Sequence, residues 1–205
     1  MMFTLKNSVQ AELKILRSRF IASMYSAPNP ETARQFLNEH NQRFADATHN
    51  CYAYVCGLKQ EITYYSDAGE PGGTAGKPIL NALLRHDLTN VLAVVTRYYG
   101  GVKLGVKGLI EAYGEAVESA VMQAELVEAK ELVNIIINCD YPILEIIKHR
   151  LTELKGECGE AIYTERVSLK AAIPREAKAD FLEFLYGYQT QSRLDYLVEE
   201  KRNET

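Results

Sequence analysis

Ser66-Asp67-Ala68-Gly69-Glu70-Pro71-Gly72-Gly73-Thr74-Ala75-Gly76 and Arg97-Tyr98-Tyr99-Gly100-Gly101-Val102-Lys103-Leu104-Gly105 are the two segments around which the chain is organised. Each ends where an apolar helical pattern begins, so each reads as a strand-to-helix connection. Of the 13 glycines, ten lie between Gly57 and Gly114. Glycine loses more conformational entropy on ordering than any other residue, so it is placed where the chain needs positive φ or very close backbone approach. Two such loops close in sequence predict a single recess, with the Glu-Pro-Gly and Tyr-Tyr-Gly segments as neighbouring walls.

Working outward from these loops gives the elements. Residues 51–57 and 61–65 are short apolar and aromatic runs and predict a hairpin leading into the first loop. Pro78, at a helix-opening position, predicts a helix over 79–86. Val91 to Thr96 is continuously apolar, as in a strand covered on both faces. Beyond the second loop, Leu109, Ala112, Tyr113, Ala116, Ala120 and Val121 recur at helical spacing. Upstream, 14–26 reads as one alternating strand near a sheet edge, and Pro30 opens an amphipathic helix over 31–44. Downstream, 132–139, 142–154, 157–164, 167–173, 174–185 and 190–198 read as strand, helix, strand, strand, helix, strand. That βαββαβ order is the ferredoxin-like split βαβ unit. The fold class predicted is therefore α+β with two domains, 1–131 and 132–205.

Composition sets the outer limits. With 205 residues, 47% hydrophobic and 24% charged, the chain has the make-up of a soluble globular protein. The formal charge of -4 resides in the C-terminal third, because residues 1–130 carry 13 basic and 13 acidic side chains while 131–205 carry 10 and 14. Neither part has the basic excess that announces nucleic-acid binding by electrostatics alone. Cys51, Cys56, Cys139 and Cys158 form no CxxC pair and have no histidine at zinc-finger spacing, so no metal is expected. No secretory pattern opens the chain, and the longest aliphatic runs are far too short to span a bilayer. A reduced, cytoplasmic protein without membrane contact is the expectation. No cofactor is expected either: residues 71–78 have proline where a P-loop needs its first glycine and final hydroxyl, and the second loop does not fit GxGxxG.

Two sets of side chains carry the chemistry. Arg97, Lys103 and Lys107, with no acidic residue between Asp87 and Glu111, join Gly100, Gly101 and Gly105 at a helix start. Exposed N–H groups and the helix dipole there favour an anion, phosphate or carboxylate, and Tyr98 is placed to stack a base. Alternatively the glycines only permit a tight turn, and the residues alone leave both readings open. The second set is His49, Asp67 and Glu70, suited to acid-base work if the hairpin brings them together, with Asn50, Thr74 and Gly76 as supporting loop residues. The competing reading is that these side chains satisfy backbone groups in irregular loops. Cys51 follows the core pattern of its strand, and no neighbour lowers its pKa toward that of a nucleophile.

The segments Thr48-His49-Asn50-Cys51, 67–80 and 94–105 together resemble the signature blocks of the IMPACT/YigZ family, and the similarity extends across the chain. The resemblance implies an N-terminal domain of the ribosomal protein S5 domain 2-like kind. It also implies a C-terminal ferredoxin-like domain similar to the last domain of elongation factor G. Eukaryotic members so implied are regulators that compete for a co-activator of the amino-acid-starvation kinase. The leading expectation is thus a translation-linked regulatory or binding protein that contacts RNA, the ribosome or a translation factor through the basic loop surface. The alternatives are a hydrolase or transferase acting on a phosphorylated or carboxylated small molecule through His49, Asp67 and Glu70, and a pure protein-interaction module using its acidic C-terminal domain. The residues set no oligomeric state.

Overall fold

The computed structural model describes residues 1–199. Strands β1 (Phe3–Leu5), β2 (Val9–Ile15) and β3 (Ser18–Ser26), helix α1 (Pro30–Arg43), strands β4 (His49–Cys56) and β5 (Ile62–Ser66), helix α2 (Gly76–Arg85), strand β6 (Val91–Tyr98), helix α3 (Gly105–Val121) and strand β7 (Leu126–Glu128) build the first compact unit, Met1–Ala129. The second unit, Lys130–Thr205, contains β8 (Leu132–Cys139), α4 (Tyr141–Glu153), β9 (Glu157–Tyr163), β10 (Val167–Pro174), a 3-10 turn at Arg175–Ala177, α5 (Lys178–Gln189) and β11 (Leu194–Glu199). The class is α+β.

In the first unit the main sheet has the order β2-β3-β6-β4-β5, with every neighbouring pair antiparallel. β6 is central because it is the one strand with no polar face to spare: Val91 to Arg97 are all buried. Its alternation sends Val91, Ala93 and Val95 into the core shared with α2 and α3, while Leu92 and Val94 pack under α1. This parity decides the fate of the next two residues. Arg97 falls on the α2/α3 side and Thr96 on the α1 side.

Where the fold departs from expectation, local chemistry explains it. Residues 14–26 are not one strand: Ile15 pairs with Ser18 across a two-residue turn, with Leu16 at φ 52°. The turn carries no glycine, proline or asparagine, and only the switch of core-facing parity, from Ala11, Leu13 and Ile15 to Phe20, Ala22 and Met24, marks it. β3 is consequently interior and β2 takes the edge. α2 begins at Gly76 rather than at residue 79, because a carboxylate upstream supplies the missing N-terminal acceptor (below). β1 and β7 form a separate two-stranded sheet whose three-residue strands are too short to show a period.

The second unit has the sheet order β11-β8-β10-β9, all antiparallel, which is the ferredoxin-like arrangement expected. Ile135, Ile137 and Cys139 of β8 and Leu169, Ala171 and Ile173 of β10 face Ile143, Ile147 and Leu151 of α4 and Phe181 and Leu185 of α5. Among the described residues no helix is long and apolar enough to cross a membrane.

Candidate functional site

Register places Phe20, Arg97 and His49 side by side across β3, β6 and β4. Arg97 therefore points into the unit beneath the first glycine loop, with its side chain 6% exposed. Glu70 descends from that loop, 4% exposed, and accepts from Arg97 Nη1 at 2.6 Å. Tyr113 of α3 donates its hydroxyl to the same carboxylate oxygen at 2.8 Å. Phe20 lies edge-on to the Tyr113 ring, and the Arg97 guanidinium sits 5.5 Å from the Phe20 centroid and 5.2 Å from that of Tyr99. The two loops are thus joined by a buried ion pair, Arg97 from the second and Glu70 from the first.

That pair revises the expected role of Arg97. It is not an exposed phosphate ligand: it belongs to β6, and strand parity commits it to Glu70. Its remaining polar contact is a long one, Nη2 to Ser18 Oγ at 3.4 Å, and Nε has no hydrogen-bond partner among the described residues. Ser18 Oγ also accepts from the Gly100 N–H at 3.3 Å. A Cβ at Gly100 would stand 1.8 Å from the Arg17 carbonyl oxygen, so the close approach this glycine permits is to the β2–β3 turn, not to a ligand.

The first loop is wound around Asp67. One carboxylate oxygen accepts from the Ala75 and Gly76 N–H groups and the other from Gly73, each at 2.9 Å. Burial pushes this carboxyl up, but the three N–H bonds outweigh that and hold it below the usual carboxylate range. The N–H groups that would cradle a phosphate at the start of α2 are therefore taken by the chain's own anion. Thr74 is buried with its hydroxyl on the Pro71 carbonyl at 2.7 Å, and a Cβ at Gly76 would lie 2.7 Å from the Ser66 backbone. His49 bonds the Ala68 carbonyl through Nδ1 at 2.9 Å, which requires that nitrogen to carry the proton. His49, Asp67 and Glu70 do gather at one end of the sheet, each already holding a partner of this chain. Cys51 lies beneath them, donating to the Asp67 carbonyl at 2.9 Å, and burial pushes its thiol up to about 12.

Asn50 serves a different structure, on the α1 face. Its Nδ2 donates to the Phe44 carbonyl at 3.2 Å and its Oδ1 accepts from Thr96 at 2.7 Å. Since Thr96 spends its hydrogen there, it accepts from His40 Nε2 at 2.7 Å, and His40 Nδ1 then accepts from Tyr25 at 2.9 Å. Burial, with Arg43 adding to it, lowers the His40 pKa to about 4, consistent with this neutral ring. Tyr113, Ser18 and His40 are the residues that sequence reasoning passed over. A tyrosine on an alanine-rich buried helix face was the available signal, because a buried hydroxyl needs a partner.

What remains at the mouth is the second loop's outer surface. Lys103 and Lys107 are exposed, Lys107 at 91% with Glu111 3.6 Å away. Gly101 and Gly105 have φ of +83° and +72° with open space beside them. α3 starts without a side-chain cap or an acidic residue in its first turn. Tyr98 is half-buried, its hydroxyl on Asp46 at 2.8 Å and its ring 5.3 Å from the Arg19 guanidinium, while Tyr99 is 44% exposed.

A five-stranded sheet with its strand-to-helix loops locked by a buried ion pair, followed by a ferredoxin-like unit, defines a two-unit α+β protein with a preformed loop surface. The Impact N-terminal domain family matches residues 16–121, which include every residue of that surface. The chain is 36% identical over 183 residues to IMPACT family member YvyE of Bacillus subtilis (strain 168), covering 89% of this chain and 84% of that protein. It is 34% identical over 189 residues to IMPACT family member YigZ of Escherichia coli (strain K12), covering 91% and 93%. The chain belongs to the IMPACT family. A crystal structure described as that of a hypothetical protein superposes with a TM-score of 0.66 at 32% identity, covering 98% of both chains.

Proposed function

We propose that this chain is a translation-linked binding protein that contacts RNA, the ribosome or a translation factor through the outer surface of its second glycine loop. The observation that carries the reading is the division of labour in the loops. Arg97, Glu70 and Asp67 are consumed in holding the loops together, and Lys103, Lys107 and the uncapped start of α3 are left facing solvent. Oriented N–H groups and two cations favour phosphate over an uncharged partner. The translation link is what the family resemblance implies.

The test is ribosome and single-stranded RNA binding by the Lys103→Ala/Lys107→Ala variant across a salt series. Affinity falls, and the slope of log K against log salt becomes shallower by roughly 1 to 2, since each phosphate contact contributes about 0.7 to 0.9. Unchanged, salt-insensitive binding overturns the reading. Supporting it over a hydrolase is the engagement of His49, Asp67 and Glu70 within the chain; the purified protein is expected to show no turnover on phosphoester and peptide panels.

A further inference from the structure

A second surface of the first unit is independent of the loops. β5, Ile62–Ser66, is the outermost strand of the main sheet and pairs with β4 in an unbroken register from Tyr52↔Ser66 to Cys56↔Ile62. It contains no charge, no proline and no bulge. Its large side chains face water: Ile62 is 46% exposed, Tyr64 49% and Tyr65 43%. Soluble proteins ordinarily blunt a sheet edge with charges, prolines, bulges or a cover, because its free N–H and C=O groups template another strand. The opposite edge of this sheet follows that rule through its charges, with Glu12 and Lys14 on β2. β5 does not.

Beside this open edge, on the α1 face, lies a groove of about 220 Å³ lined by Ala33, Arg34 and Leu37 of α1 and by Tyr52, Tyr54 and Tyr64. The Tyr64 ring stacks on both others, with centroids 6.0 Å from Tyr52 and 5.6 Å from Tyr54. The groove adjoins Tyr64, so a strand added to β5 would project every second side chain toward this aromatic floor.

We propose that β5 is a docking edge at which an extended segment of a partner protein adds as a sixth strand, seating an apolar side chain on the tyrosines of the groove. Main-chain hydrogen bonds would supply affinity and the groove selectivity, the mode by which sheet edges capture peptides. The area decides against a second copy of this chain as the occupant. A half-exposed tyrosine offers on the order of 100 Å², so β5 on β5 would bury only a few hundred Å² per copy, well short of the roughly 800 Å² per partner of a stable dimer. A peptide can be held by the strand and the groove together. The charge decides against nucleic acid, since the strand carries no cation and the groove has only Arg34, which has Glu31 at 3.9 Å.

The test starts from a phage-displayed library of linear peptides panned on the full chain, with the Tyr64→Lys variant for counter-selection. The best sequence is then synthesised in plain form and with alternate main-chain nitrogens methylated. Strand addition predicts a loss on the order of tenfold or more on methylation of one set of nitrogens and not the other, because only one set of N–H groups faces β5. It also predicts slowed amide exchange confined to residues 62–66 and their neighbours, and a similar loss for Tyr64→Lys at unchanged melting temperature. A library that returns no Tyr64-dependent sequence overturns the proposal, as does equal binding by every methylated form. So does a concentration-dependent dimer abolished by Tyr64→Lys, or single-stranded RNA that quenches Tyr64, each of which assigns the edge to another occupant.

Discussion

Glu70 is the residue that joins the two glycine loops. It compensates a guanidinium that the parity of β6 forces indoors, and with Tyr113 it ties the first loop to β6 and α3. Removing one partner of a buried pair leaves the other charged and unsolvated, so Glu70→Ala is expected to cost about 3 to 5 kcal/mol in urea unfolding. Replacing both partners by apolar residues of similar volume, Glu70→Leu with Arg97→Met, is expected to cost less than either single change, a non-additivity that a double-mutant cycle measures directly. If Glu70→Ala unfolds like the wild type, Arg97 finds water and the pair does not hold the loops together. The residue types at this site were legible in the sequence, but their pairing was not. Arg97 beside two glycines and two lysines looked like one member of a basic loop, and only its position as the seventh residue of a buried alternating strand separates it from them.

At the scale of elements, the start of α2 shows how one side chain can set a boundary. Asp67 accepts from Gly73, Ala75 and Gly76, doing for the helix what a capping residue does from nine residues upstream of Gly76. Asp67→Ala is expected to destabilise the first unit by about 1 to 2 kcal/mol, as loss of an N-cap does, with faster amide exchange at residues 73–76. The pH dependence has a definite sign. Because the folded carboxyl titrates below its unfolded value, its contribution is fully present above about pH 4 and is lost as pH falls through the lowered folded value, a dependence that the alanine variant lacks. Most elements could be read from periodicity, and the ones that could not have a common cause. The β2–β3 turn lacks turn residues, β1 and β7 are three residues long, and the first turn of α2 is held by a group distant in sequence. Each is fixed by partners elsewhere in the fold, to which a local pattern is blind.

For the whole molecule, the cores themselves imply how it comes apart. The apolar clusters of Met1–Ala129 and those of Lys130–Thr205 share no residue, so each unit carries its own cooperative core. Fragments cut at this boundary are expected to fold separately, and the intact chain to show two calorimetric transitions, with the second unit the less stable because a small domain buries a smaller share of its surface. Acid distinguishes the two. His40 belongs to the first unit, where the Tyr25–His40–Thr96–Asn50 chain holds its ring neutral with a pKa lowered to about 4 against 6.5 for the free side chain. The unfolded state then binds a proton that the folded state refuses. The stability gained by neutrality is complete above about pH 6.5 and declines as pH falls toward 4, by up to about 3 kcal/mol at the low end. The only described histidine of the second unit, His149, has its side chain 77% exposed beside Glu153. Calorimetry between pH 7 and 5 should therefore move the first unit's transition down relative to the second's, and His40→Gln should remove most of that movement while lowering the transition at pH 7. Transitions that shift together in both proteins would mean that the units unfold as one, or that the buried relay carries none of the pH dependence.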